Sequence, residues 1–572
     1  MLVKYINLMK TKILFFLLLF TVVSFIFSNA TFAQVENVPL SNPVYNYLKE
    51  MSVKKIISGL NDDNPNLSRF QVADFINTIQ SKSNELSTAE KKLLNKYMNE
   101  FVPEEINKKT TASLIAGNMD VSNGFKYILT DKQKYLFSYE KNENNIFIEP
   151  LFNLYYSHGF KPKSNANAVL FDGGFRVRGT IFNHLGYNFS LVKGGADGDS
   201  VLIESTFPPI KSTYKYVENN ENITNYEFTN GYLKYYFEPS EGMGISAQLG
   251  REQIKYGLGY SDRLALSGNA PNMDFLKFNF QYGIINFSSI YATTVGDFNL
   301  DRELRYTKSF TANRIKFAIK NLFDLGIGET IISSEGIQLG YLNPLMFYKF
   351  VEMSLQDRDN GTVFFDAQTH FIKDLEFQGT FFLDENILSN LSDLEKASNK
   401  TAYQLGFFMY EPAGLKNLSL IFEYTKIRPY VYTHFDPKNK YTAFDVNMGH
   451  PIGPNADQIF LKMNYNLNEK VSFGMEYQKI RKGENVYNEK GELVRNVGGD
   501  INQSFRGGID ADEAYFLDGI RINSQIFKFN LRYEPLKNYV FDLNYVYNSS
   551  KNTTYNKFQD FSYGYLKFYF DY

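Results

Sequence analysis

An aromatic face backed by a charged face, repeating every two residues, leaves this chain few folds to choose from. In FKFNLRYEPLKNYVFDLNYVY, Phe527, Phe529, Leu531 and Tyr533 fall on one side, and Lys528, Asn530, Arg532 and Glu534 on the other. After residues 535–538 the pattern resumes, with Tyr539, Phe541, Leu543 and Tyr545 against Asp542 and Asn544. Successive side chains of a strand point to opposite faces, so the stretch reads as a hairpin of two strands. QIFLKMNYNL (458–467) and LEFQGTFFL (375–383) repeat the logic, with Lys462, Asn464, Asn466, Glu376 and Gln378 on the polar side. A soluble sandwich would bury the aromatic face. A barrel in lipid would turn that face outward and enclose the charges.

The spacing of the breaks favours the barrel. From Asn145 onward, eight short connections (183–186, 238–243, 281–283, 320–324, 373–374, 411–417, 466–470 and 534–538) alternate with nine polar ones. The nine lie near 157–172, 194–229, 254–273, 293–311, 334–361, 385–400, 429–456, 482–524 and 549–558. Seventeen connections join eighteen strands. Short turns at one end, long loops at the other and an even strand number are the organisation of an outer-membrane β-barrel. The sheet must close, because a free edge in lipid would leave peptide groups unpaired. The last residues, YLKFYFDY, put Leu566, Phe568, Phe570 and Tyr572 on one face. This aromatic end resembles the terminal signal read by the barrel assembly machinery.

Composition supports export and argues against other classes. Phe and Tyr number 53 and 42, with no Trp and no Cys. The aromatic excess suits strands and interfacial belts. Without cysteine there are no disulfides, thiol nucleophiles or thiolate metal sites. Basic and acidic residues balance at 60 and 62, so nothing points to nucleic acid. Residues 1–33 read as a secretory signal: Lys4, Lys10 and Lys12, then the apolar run ILFFLLLFTVVSFIF, then small residues up to Ala33.

Residues 34–103 carry helical rather than strand periodicity. Ser68 with Gln71 and Ser87 with Glu90 have capping-box spacing. YLKEMSVKKIISGL and LSRFQVADFI resemble the first two helices of an S-layer-homology module. That resemblance implies a periplasmic module that touches peptidoglycan or a wall polymer; a plain three-helix cap or spacer is the alternative. A polar linker, 104–145, leads to the barrel, 146–572.

Four segments of the long loops are dense in Arg, Asp, Asn, Pro and aromatics: GREQIKYGLGYSDRLALSGNAPNMD, GYLNPLMFYKFVE, QDRDNGTVFFDAQ and the stretch 427–457. Together with the barrel they resemble the capsule-assembly Wzi family. The resemblance implies an outer-membrane lectin that anchors or organises exported surface polysaccharide. Sugars are held by Arg and Asn/Asp pairing with vicinal hydroxyls and by rings stacked on C–H faces. By type, Arg251, Arg263, Asn269, Asn343, Arg358, Asp359, Asn360, Arg428, Tyr430 and Tyr432 suit those roles. The same residues suit internal bracing, since an unpaired charge in a lumen is costly. No cofactor, metal site or catalytic triad is readable from His158, His184, His370, His434 and His450, and GGADGDS (194–200) lacks a complete calcium-loop pattern. The expectation is therefore a non-enzymatic, all-β outer-membrane protein of about eighteen antiparallel strands with a small helical module in the periplasm. Its partners would be the lipid bilayer and a surface glycan. A diffusion porin with a wall-binding module is the competing reading.

Overall fold

The computed structural model describes residues 34–102, 111–114, 126, 128–141, 143–213, 225–384 and 393–570. The signal segment 1–33, most of the first half of the linker, and Tyr572 lie outside the described residues.

Eighteen antiparallel strands, Asn144–Lys161 through Lys557–Phe570, close into one barrel, the last pairing with the first. Closure uses only the upper part of Asn144–Lys161, from Asn153 to Lys161. Its lower part pairs with Phe137–Lys141, so part of the expected linker is a seam strand that satisfies the remaining edge. All eight expected short turns are present. Two of the nine expected long loops are tight instead: the first and last hairpins turn within 162–166 and 553–556, because strand pairing runs on through most of the stretches expected as loops.

The faces are oriented as the alternation requires. Leu405, Met463, Met475, Phe527, Leu543 and Leu566 are exposed on the outer wall. Their neighbours point into the bore, where Lys528 pairs with Glu476 at 2.7 Å and Asn530 donates to Asn544 at 2.9 Å.

The helical module is not a spacer below the barrel. Its helices α1 (Val44–Val53), α2 (Arg69–Ser81) and α3 (Thr88–Phe101) sit inside the short-turn end of the bore. Both capping boxes form. One core joins Val44, Leu48, Met51, Ile76 and Leu94 of the module to inward-facing Phe408, Tyr410, Ile421 and Phe460 of the wall. Polar contacts surround that core. Glu36 pairs with Arg178 at 2.8 Å, Lys234 donates to Asn37 and Ser68 at 2.6 Å each, and Tyr410 donates to Glu90 at 2.8 Å. Glu50, Lys96 and Glu100 meet Asn466, Glu534 and Lys537. Gly186 makes room for the entering chain: a Cβ there would lie 2.6 Å from the Glu36 backbone nitrogen.

Burial, together with the neighbouring charge of Glu90, pushes the Glu50 carboxyl up to about 8 from an ordinary 4.5. Between those values the docked module keeps a proton that the unfolded chain releases. The contribution of this one carboxyl to stability should therefore fall by up to about 1.4 kcal/mol per pH unit as pH rises through that window. Denaturant midpoints of the full chain in detergent from pH 4 to 9 check this, and Glu50→Gln should flatten the slope.

Candidate functional site

The bore is filled from both ends, and the fillings meet at two aspartates. Asp63, in the module's loop between α1 and α2, pairs with Lys316 at 2.7 Å and with Arg314. Arg314 also grips Asp366 through Nε and Nη2 at 3.0 and 2.5 Å. The long loop 253–272 descends onto the same point. Gly257 N donates to the Asp63 carbonyl at 3.0 Å, and Arg263 donates to the Asp62 carbonyl at 2.8 Å. Tyr260 donates through its hydroxyl to Glu376 at 2.8 Å and through its backbone to Glu423 at 2.8 Å. The low permittivity of the bore makes each of these charges costly to leave alone, and each has a partner.

Above that level the contacts become apolar. Loop 428–455 lies on loop 253–272, joining Leu264, Leu266, Val431, Tyr432, Tyr441 and Met448 to inward-facing Phe310, Phe364 and Phe382. Tyr432 donates to the Leu264 carbonyl at 2.8 Å and accepts from His450 N at 3.2 Å. Tyr441 donates to the Ala265 carbonyl at 2.7 Å. Loop 485–519 packs over these through Tyr430, which donates to the Asn496 carbonyl. On the opposite side a short helix, Ser200–Thr206, closes the bore against Tyr155, Leu170 and Tyr563. Its first turn is capped by Asp199, which gives the GGADGDS segment a structural use.

The ten sugar-binding candidates do not converge on one site. Arg428, Tyr430, Tyr432, Asp359 and Asn360 are buried with internal partners. Arg263 braces the mid-lumen junction. Asn343 and Arg358 belong to loop 334–359, where Asn343 accepts from Leu345 N and Arg358 pairs with Glu335 at 2.7 Å. Only Arg251 and Asn269 come together. They line a concavity of about 450 Å³ at the long-loop rim, with Asn272, Asp274, Gln253 and Glu227 beside them and the Phe228 and Phe444 rings at its wall. Arg251 pairs with Asp274 at 2.8 Å, and both remain about half exposed. This notch exists because the strands Met243–Glu252 and Met273–Tyr282 are shorter than their neighbours. A second concavity of similar size, about 450 Å³, lies between Pro451, Pro454, Lys482, Tyr487 and Asp500. Sequence reasoning did not single out those residues, although Tyr487 and Asp500 lie in a polar loop of the same composition. Among the described residues no three His, Asp or Glu side chains are grouped as metal ligands.

Comparison with known proteins now applies to a defined geometry. The family model for the capsule assembly protein Wzi matches residues 199–532, more than half of the chain, including loops 253–272, 334–359, 428–455 and 485–519. The chain belongs to the Wzi capsule-assembly family. It is an outer-membrane β-barrel. The solved structure of Wzi, an outer-membrane protein involved in group 1 capsule assembly in Escherichia coli and a carbohydrate-binding β-barrel, superposes at TM-score 0.52. That alignment covers 93% of this chain and 99% of that one, at 12% identity, and speaks to fold. OccAB2 of Acinetobacter baumannii (9% identity, 74% of this chain and 97% of that one) and OprD of Pseudomonas aeruginosa (10%, 74% and 92%) align only at TM-scores of 0.45 and 0.40. No curated protein matches the sequence. The buried Arg and Tyr of loops 253–272 and 428–455 hold those loops inside the bore.

Bracing and binding make different predictions for Tyr432. Tyr432→Phe should cost about 1–3 kcal/mol, because the Leu264 carbonyl and the His450 N–H lose a buried partner. Thermal unfolding of the purified barrel measures this. A variant of unchanged stability that no longer retained glycan would assign Tyr432 to binding instead.

Proposed function

We propose that this chain binds exported surface polysaccharide at its long-loop rim and holds it against the outer face of the membrane, without catalysing a reaction on it. The observation that carries the reading is membership of the Wzi family combined with a bore occupied by the module at its short-turn end and by loops 253–272 and 428–455 above it. An occupied bore supports a surface receptor over a diffusion porin, and the rim concavities are polar surfaces open to a polymer. The notch at Arg251 suits a sugar chain by its chemistry. A guanidinium and a carboxylate already facing each other can each turn to a hydroxyl pair, or to a uronate in the case of Arg251, and two phenylalanine rings offer flat apolar faces.

The same reading puts the long loops outside the cell and the plugged end in the periplasm, facing peptidoglycan. Lys92, Lys132 and Lys470 stand at that mouth. Insertion would follow the aromatic C-terminal strand through the barrel assembly machinery.

Deleting the gene should release surface polysaccharide into the medium while its synthesis continues, which a glycan-retention assay on cells and supernatant reads. Complementation with Arg251→Ala should recover less retention than the unaltered chain. The purified protein should be silent in planar bilayers. Large, stable open-channel currents would return the porin reading, and unchanged retention in the deletion strain would remove the receptor reading.

A further inference from the structure

The lipid-facing belt has a gap. On most strands the outward residue six positions above the short-turn end of the belt is apolar or aromatic: Leu276, Phe381, Tyr403, Ile459, Phe527 and Tyr545 hold that place. Two neighbouring strands break the rule. Thr307–Ile319 presents Asn313 there, and Phe323–Ser333 presents Glu329. The adjoining strand Ile285–Val295 presents Ser289 one step lower. The three are direct register partners, Ser289 opposite Asn313 and Asn313 opposite Glu329, so they form one polar row on the outer wall. Six residues of a tilted strand rise about 15 Å, inside the apolar band of about 25 Å that such barrels present. A bare carboxylate and amide at that height would face acyl chains.

Loop 334–359 covers the row from outside. It does not enter the bore. Asn313 donates to the carbonyls of Pro344 and Met346 at 3.2 and 2.9 Å. Glu329 accepts from the backbone nitrogens of Tyr348 and Lys349 at 2.7 and 3.0 Å. The Tyr348 hydroxyl meets Ser289 at 3.2 Å. Ile331 points outward from its strand yet is only 1% exposed, because Tyr341 and Tyr348 pack on it. The Tyr341 hydroxyl donates to Asp359 at 2.8 Å, which fastens the returning end of the loop. The wall's polar row is thus satisfied by the strap, while the strap's own charges pair within it, Lys349 with Glu352 at 2.5 Å and Arg358 with Glu335 at 2.7 Å. Its far side is apolar and open: Leu339, Leu345, Phe350 and Met353 are 80, 87, 69 and 51% exposed.

We propose that loop 334–359 is a membrane-seated strap, which completes the lipid belt over the polar row and rests its Leu339, Leu345, Phe350 and Met353 face in the outer leaflet at the acyl–headgroup boundary. The occupant is lipid because the face continues an existing lipid surface: the strap adjoins Phe317, Leu325 and Phe365, which are themselves exposed on the outer wall. The helix Tyr348–Ser354 supplies its own backbone hydrogen bonds, which seating in lipid demands. Residues 341–344 and 357–360 of those segments then fix the strap, through Tyr341 to Asp359 and Arg358 to Glu335.

The chain has no tryptophan, so one substitution makes a single-site reporter. Phe350→Trp and, separately, Leu345→Trp would be placed in the full-length protein, one copy per nanodisc, with acyl-brominated phospholipid as quencher. Leu405→Trp in the belt and Val494→Trp on the rim loop set the two limits, and heat-dependent gel mobility verifies folding of each variant. The strap reporters should emit at short wavelength and lose most of their intensity to brominated lipid, as Leu405→Trp does. Emission and quenching that match Val494→Trp at both strap positions would overturn the proposal. Short-wavelength emission without lipid quenching, present in crowded discs and lost at one copy per disc, would also overturn it, in favour of a second copy of this chain as the occupant.

Discussion

The pairing of Asp63 with Arg314 and Lys316 is the contact on which the rest of the architecture depends. Closing a sheet in lipid turns its polar face inward, and here that face carries full charges in the middle of the bore. Water alone could solvate them in a wide, open channel. Once the bore is filled, each buried charge must find a counter-charge or a set of dipoles, or the filling is expelled. The module supplies Asp63 from below, and loop 253–272 touches that same aspartate's carbonyl through Gly257 from above. The two fillings therefore stabilise each other through a residue of the module, between α1 and α2. Breaking one buried partner of such a cluster typically costs about 3–5 kcal/mol, so the module and the loops are bound into one unit with the wall.

That coupling is what the sequence concealed. The strand count, the face orientation and both helix caps were legible, because each depends on residues two to four positions apart. The plug was not. Asp63 and Arg314 are separated by 251 residues, and nothing local in either says that they meet. The module's Val72, Ile76 and Ile79 are buried in a core whose cover is partly the inward Phe408, Ile421 and Phe460 of the wall. Phe460 does show itself in QIFLKMNYNL: a large apolar residue on the otherwise polar side of a strand marks a place where the lumen is not wet. The sugar-site candidates were ambiguous for a physical reason. Arg, Asn and Tyr recognise hydroxyls and carbonyls alike, so composition cannot separate a residue that binds a glycan from one that binds its own backbone. Burial removes most of them, and position removes Asn343 and Arg358, which stay accessible but belong to loop 334–359; Arg251 and Asn269 are left at the rim.

The outer wall obeys the same rule as the lumen, with the solvents exchanged. Inside, an apolar residue on the polar face signals that protein has replaced water. Outside, Asn313 and Glu329 on the apolar face signal that protein has replaced lipid, and loop 334–359 is that protein. Each exception to the alternation thus names its own cover, which makes the exceptions more informative than the pattern.

A barrel filled in this way trades permeability for a rigid rim. In an open barrel each long loop is tethered only at its strand ends. Here loops 253–272 and 428–455 have apolar residues anchored in the bore, and their free segments are held near one geometry before any ligand arrives. A polymer gripping such a rim orders few additional degrees of freedom, and fixing the receptor beforehand is a general route to affinity for a ligand whose individual contacts are weak. A receptor for a repeating polysaccharide has a second resource, since many copies of the protein along one chain raise retention without strengthening any single site. A filled bore and a shallow polar rim are therefore a consistent pair: the filling supplies the preorganisation, and the repeat of the polymer supplies the holding strength that a concavity of a few hundred Å³ does not.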